Sequence, residues 1–250
     1  MLMETVLTVA ESKRLIAKGV AAHPLVRRAL ADGMVIIARG STNGYVAEEI
    51  LACAIEKPAF LTGRTLPRGY VAPRRKSETI GEIVLVRGQR QPGLALDEAI
   101  AQLQAGDVFV KGANALDYAD RRVGILIGHP QGGTIGAALP TIIARKAHLL
   151  VPVGLEKLVA SDLTEMSEMI RDHGADREPL PSLWVIEGAT VVTEIEAVEL
   201  LTGAECRHLA SGGIGGAEGG VRLLLSGDAA ALEQARALFD SVAQEEPYGI

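Results

Sequence analysis

The segment RGSTNGYVAEEIL at 39–51 joins the end of an apolar run to the start of a helical pattern through Gly40, Ser41, Thr42, Asn43 and Gly44. A helix N-terminus presents unpaired N–H groups and a partial positive charge, so it attracts anions. Glycine lets the backbone approach closely, and the hydroxyls of Ser41 and Thr42 add donors. The same residues also suit an ordinary N-cap with glycine turns. GHPQGGTIGAAL at 128–139 repeats the arrangement, with Gly132, Gly133 and Thr134 at the expected helix start. Its spacing is neither the dinucleotide G-x-G-x-x-G nor the Walker Gly-Lys-Ser/Thr. Two such loops on parallel strands of one sheet share its carboxyl edge, where open α/β sheets bind ligands. Together they point to a small anionic metabolite.

Other segments add groups with alternative readings. KGANALD at 111–117 sets Lys111, Asn114 and Asp117 at a strand end. Lysine can hold an anion and a carboxylate can move a proton; Asn and Asp also satisfy turn backbone. In PVGLEKL at 152–158, Glu156 and Lys157 form either an acid–base pair or a solvated helix start. Between 63 and 90 the local charge reverses sign, with Arg64, Arg68, Arg74, Arg75, Lys76, Arg87 and Arg90 against Glu78 and Glu82. Such a loop could close over a phosphate, lie in solvent or contact a subunit. SGGIGGAEGG at 211–220 suits a hairpin or close backbone contact, in a structural or assembly role. His129 and His208 stand alone and there is no H-x-x-x-H pair, so no metal is expected. No cofactor motif is evident.

Regular elements must position these residues. Thr8 and Glu11 have capping-box spacing ahead of Leu15, Ile16 and Val20, which predicts a helix, and a second helix should start at Pro24. The apolar runs 34–38, 59–62, 82–87, 107–111, 123–128 and 147–153 read as strands. Helical patterns cover 96–103 and 134–146, the latter kinked at Pro140, because an interior proline costs about 3 kcal/mol. Strands alternating with helices indicate an α/β fold with a doubly wound, mostly parallel sheet. Beyond Pro179 and Pro181 the pattern changes. LWVIEGATVV reads as a strand or bent hairpin, and the order β-α-β-β-α resembles a ferredoxin-like (split βαβ) subdomain. The expected division is therefore 1–178 and 179–250.

Composition narrows the function classes. The 250 residues are 48% hydrophobic, enough for a sizeable core. A formal net charge of −6 argues against a general nucleic-acid binder, and 3% aromatic content against a single-strand stacking surface. No run approaches ~18 apolar residues, so no membrane span is expected, and the start lacks the basic-then-apolar order of a signal peptide. Cytoplasmic location follows as the expectation. Cys53 and Cys206, far apart and outside any metal spacing, read as reduced core thiols.

IIARGSTNGYVAEEIL resembles the strand–GTGST–helix phosphate loop of ribose-5-phosphate isomerases, and more broadly the superfamily with glucosamine-6-phosphate deaminases and CoA transferases. DVFVKGANALD is similar to the DGADEVD strand end of those isomerases. It is also similar to the GAD segment of methylthioribose-1-phosphate isomerases and the related initiation-factor-2B regulatory subunits. In the latter a KIGT helix start and a PFYV-like strand follow, much as GGTIGAALPTIIARKAHLLVPV does here. The tail resembles the small lid domain of ribose-5-phosphate isomerases. The likeness spans about residues 10–160 in element order, and only Asp117 keeps an acid of the isomerase pattern, where Lys111, Asn114 and Ala115 stand nearby.

The resemblance implies a Rossmann-like sheet, a sugar-phosphate or acyl-CoA ligand, and homo-oligomers. It sets phosphate on Ser41, Thr42 and the N–H groups around Asn43 and Gly44. The implied activity is isomerisation by carboxylate proton transfer. Asp117 would be the acid/base, with Lys111 and Asn114 orienting substrate, Glu156 as a further carboxylate, and Gly40, Gly132, Gly133, Thr134, Arg74 and Arg75 completing the binding set. Two rivals stand beside it: a non-catalytic metabolite sensor, and CoA-thioester chemistry with Glu187 or Glu156 as nucleophile.

Overall fold

The structure is a computed structural model that describes residues 1–70, 78–173 and 180–249. The chain opens with β1 (Leu2–Leu7), a strand the sequence reading did not anticipate. Helix α1 (Val9–Ala22) follows and is capped as expected: Thr8 Oγ1 accepts from the Glu11 N–H at 3.2 Å, and Glu11 Oε2 accepts from the Thr8 N–H at 2.8 Å. Helix α2 (Pro24–Asp32) starts on the proline, whose missing N–H costs nothing at that position.

The central sheet has six strands. β2 (Met34–Ile37), β5 (Val108–Val110), β8 (His148–Pro152) and β10 (Thr190–Val192) are parallel, while β3 (Ile83–Val86) and β4 (Gln89–Arg90) extend it antiparallel. The order is β10-β8-β5-β2-β3-β4. Side chains alternate between the two faces of each strand. Val35, Ile37, Val108, Val110, Leu150 and Val192 pack with α1, α2 and α3 (Ser41–Leu51). Ile36, Phe109, Leu149, Val151 and Val191 pack with α4 (Leu96–Gln102) and α5 (Gly133–Arg145). Burial on both faces is why these strands read as unbroken apolar runs. At the opposite end of the sheet from the strand carboxyl termini, buried Asp107 ties two strands together. It accepts from the Met34 N–H at 2.7 Å and from the Gln104 N–H at 2.7 Å.

A second, antiparallel sheet holds β6 (Ala115–Asp117), β7 (Arg122–Ile127) and β9 (Ser182–Ile186), with α6 (Leu163–Asp172) against it. A third holds β1 beside β12 (Val221–Ser226) and β11 (Glu205–Ser211), and packs on α7 (Glu194–Thr202) and α8 (Ala229–Asp240). The described residues therefore form a mixed α/β fold with eight α-helices and a mostly parallel six-stranded sheet. Among them no helix is long and apolar enough to cross a membrane.

Several expectations are corrected. Residues 59–62 are not a strand: a 3₁₀ turn at Lys57–Ala59 holds Pro58, which cannot donate to a ladder, and β3 takes the place beside β2. The 123–128 run is a strand, but outside the parallel sheet. Only four residues separate it from β6, and so short a link permits only antiparallel pairing. LWVIEGATVV is no hairpin, because β9 pairs with β7 and β10 with β8. Strand pairing thus crosses the expected division at 178/179, and β1 crosses it from the other side through β12. The tail runs β9-β10-α7-β11-β12-α8, one strand more than the expected β-α-β-β-α, with β9 in the antiparallel sheet and β10 in the central one. Cys206 is buried, but Cys53 is exposed and no core thiol.

Candidate functional site

The order in which strands are added reverses between the parallel β2 and β5: β2 continues to β3 on one side, and β5 leads to β8 on the other. Crevices at such switch points, outside the strand carboxyl ends, are where α/β sheets take ligands. Asn43 straddles this one. Its fully buried Nδ2 donates to Ala38 O at 2.7 Å, just past β2, and to Val110 O at 3.2 Å, at the end of β5. Its Oδ1 has no partner among the described residues. The side chain anchors the first turn of α3 over the crevice. That helix has Gly40 at its N-cap and no side-chain cap, so its leading N–H groups stay available. Thr42 is buried and Ser41 partly so, while Gly44 packs against the Lys57 side chain and not into the crevice.

Two lysines share the edge of this crevice. Lys111 Nζ donates to Gly112 O at 3.0 Å, and Lys157 Nζ donates to Ala113 O at 2.8 Å. The two ammonium groups thus sit on consecutive carbonyls of the loop that leaves β5. Among the described residues neither has a carboxylate oxygen within 4.0 Å. Burial, and then the charge of Lys157, pushes Lys111 down to about 8. Burial also lowers Lys157, with Lys13 adding to the effect, but Glu156 and Glu194 act in the opposite direction.

Carboxyl groups line the next part of the edge. Glu194 follows β10 and is wholly buried. Its Oε2 accepts from the Leu155 N–H at 2.9 Å, and its Oε1 has no hydrogen-bond partner among the described residues. Desolvation raises this carboxyl to about 7, against the opposing pull of the Leu155 N–H. The buried Ser12 hydroxyl lies beside it and favours its charged form, without a hydrogen bond of normal geometry. Glu156 Oε1 stands 4.0 Å from Lys13 Nζ. Gly154 separates the two glutamates: a Cβ there would meet Glu156 Cγ at 3.2 Å and Glu194 Oε1 at 3.3 Å. The glycine-rich 211–220 turn reaches the same place, since a Cβ at Gly219 would lie 3.9 Å from Glu156 Oε2.

The structure brings together only part of the expected set. Lys111, Glu156, Asn43 and the Gly40–Thr42 turn share the carboxyl edge of the central sheet. Asp117 lies in the antiparallel sheet, where Arg122 holds it at 2.6 Å and also grips Asp162 and Asp120. Hydrogen bonding to Arg122 holds its carboxyl below the usual range, which suits a permanent anion and not a proton carrier at neutral pH. Asn114 accepts from the Leu126 N–H at 3.0 Å through its side chain and donates its own N–H to Gly124 O, so it shapes the β6–β7 hairpin.

Gly132, Gly133 and Thr134 start α5 as expected, at positive φ for both glycines (81° and 58°). They follow β7, and Gly132 borders a separate open groove of about 920 Å³ with His129, Ser167, Arg171 and Trp184. The two glycine loops therefore do not share one sheet edge. Glu187 is exposed in the β9–β10 link. Arg74 and Arg75 lie outside the described residues. Glu194, Ser12 and Lys13 were not anticipated. Their signal is weak: Glu194 lies inside the Thr193–Glu196 capping box that starts α7 where β10 ends, a pattern that marks a helix start and no chemistry.

Among the described residues no group of three or more His, Cys, Asp or Glu is arranged to hold a metal ion. Set against protein-family models, curated proteins and solved structures, the chain matches none.

Proposed function

We propose that this chain binds a small anionic, phosphorylated metabolite at the β2/β5 crevice of a Rossmann-like sheet, and acts on it by isomerase-like proton transfer. One observation carries the reading. An acidic chain, with 31 Asp and Glu against 25 Lys and Arg, sets two part-buried ammonium groups on consecutive loop carbonyls, with no carboxylate oxygen of the described residues within 4.0 Å of either. Desolvated like charges are unfavourable unless an anion joins them. The uncapped N-terminus of α3 adds N–H donors to the same crevice.

In this reading Lys157, Lys111 and the Ser41–Asn43 turn hold the anion. Glu194 replaces Asp117 as proton carrier, because a carboxyl that changes charge near pH 7 is matched to general acid–base work. The three-stranded β1–β12–β11 sheet with α7 and α8 takes the part of the ferredoxin-like lid, and self-association belongs to the same proposal. A second reading, a non-catalytic sensor, draws on the engagement of Asp117 by Arg122, which removes the one acid that matched the isomerase pattern.

The test is thermal stability with inorganic phosphate, ribose 5-phosphate, glucosamine 6-phosphate and acetyl-CoA, on the wild type and on Lys157→Met. Ligand at 100 times its Kd should stabilise by about 2.7 kcal/mol, and the variant should lose most of that gain. Stabilisation accompanied by turnover supports the enzyme, and stabilisation without turnover of any of these compounds supports the sensor. No stabilisation by any anion refutes the crevice as an anion site.

A further inference from the structure

We propose that Lys111 is a nucleophilic amine that forms an imine with an anionic aldehyde or ketone held at the β2/β5 crevice. The inference rests on the anion-binding reading above and narrows its ligand to carbonyl compounds. The division of labour follows from what surrounds each lysine. Lys157 is lowered by burial too, but it lies near Glu156 and Glu194, whose charges favour its ammonium form. Lys111 is desolvated and has Lys157 as its neighbouring charge, and both act against its proton. A lysine desolvated beside a second cation is a recognised way to obtain a neutral amine near neutral pH. At pH 7 the neutral fraction of Lys111 is about 300 times that of an ordinary lysine.

Geometry supports the assignment. Lys111 follows the central strand β5, and its Nζ has one protein acceptor, the Gly112 carbonyl. The residue is only partly buried, so a ligand can reach it. The anchoring Asn43 brings the first turn of α3 over the same strand end. An anionic group on Lys157 and the α3 N–H donors would leave a nearby carbonyl carbon facing the amine. The amine lone pair attacks that carbon, and the C=O π pair moves to oxygen, which takes a proton. The resulting carbinolamine loses a proton from nitrogen and its protonated hydroxyl as water, leaving a C=N bond. No oxidant or reductant is needed. Solvent can carry these protons, since Lys111 is only partly buried.

The experiment incubates the full chain with pyridoxal 5′-phosphate or the smaller glycolaldehyde phosphate, reduces with borohydride, and maps adducts by peptide mass. The expected result is one saturable adduct on Lys111 with at least one probe, suppressed at least tenfold by excess inorganic phosphate. Lys111→Arg should lose the adduct while its unfolding midpoint in the absence of ligand stays at the wild-type value. If phosphate stabilises the protein but both probes modify only surface lysines such as Lys18 and Lys146, the imine is refuted and the anion site stands. If neither phosphate stabilisation nor a Lys111 adduct is seen, both readings fall.

Discussion

Replacing Glu194 with glutamine should abolish a pH dependence of stability that the wild type shows. The carboxyl is wholly buried, and desolvation raises it from about 4.5 to about 7. The folded state therefore holds this proton more tightly than the unfolded chain. Its contribution is fully present below about pH 4.5, is lost as pH rises, and stays lost above about pH 7. The whole span is worth about 3 kcal/mol, of which about 2.5 kcal/mol falls between pH 5 and pH 8. For a chain of this size that corresponds to roughly 5–10 °C in Tm.

Glutamine keeps an oxygen to accept from the Leu155 N–H, so the fold should survive the change. Urea melts of both proteins at pH 5, 6, 7 and 8 make the measurement. The difference between them reports Glu194 together with its coupling to Lys157, because the depressed lysines Lys13 and Lys111 are common to both and act with the opposite sign. The wild type should lose ground to the variant steadily up to pH 7 and then run parallel to it. Parallel curves across the whole range would refute the claim that this carboxyl is ionised at a cost.

Two further outcomes follow from single contacts. Asp107→Ala removes the acceptor for the Met34 and Gln104 N–H groups, one of them buried, and should destabilise by about 2–4 kcal/mol in denaturant melts. Gly154→Ala forces a methyl group against Glu156 Cγ and Glu194 Oε1 and should cost about 1–3 kcal/mol; if its melting curve overlays that of the wild type, the two glutamates are not packed as described.

Local patterns carried most of the secondary structure. The capping box at Thr8, the proline start of α2 and the doubly buried strands β2, β5 and β8 rest on short-range rules, and they form where those rules put them. Partner choice was much less readable. The apolar run at 123–127 looks the same whether it pairs parallel in the central sheet or antiparallel in a hairpin, and the short link to β6 decides it. That one difference separates the two glycine loops and moves Asp117 away from Lys111. The site shows the same contrast. Lys111 and Asn43 follow strands that were recognised, whereas Glu194 enters the crevice only because β10 leaves the C-terminal segment to pair with β8. No local pattern around Glu194 encodes that pairing.

The pairing of β1 with β12 also bears on the order of events during synthesis. Leu7 lies opposite Val221, and the Met1 amino group donates to Gly227 O at 2.9 Å. The first strand must therefore wait for its partner until the ribosome has made more than two hundred intervening residues. At about 5–20 residues per second that delay is roughly 10–40 s. Helix α1 can meet α3 early, but its contact with α7 and the closing of the third sheet come last. During that interval Leu7 has no sheet partner, and the nascent chain carries β1 as an unpaired strand.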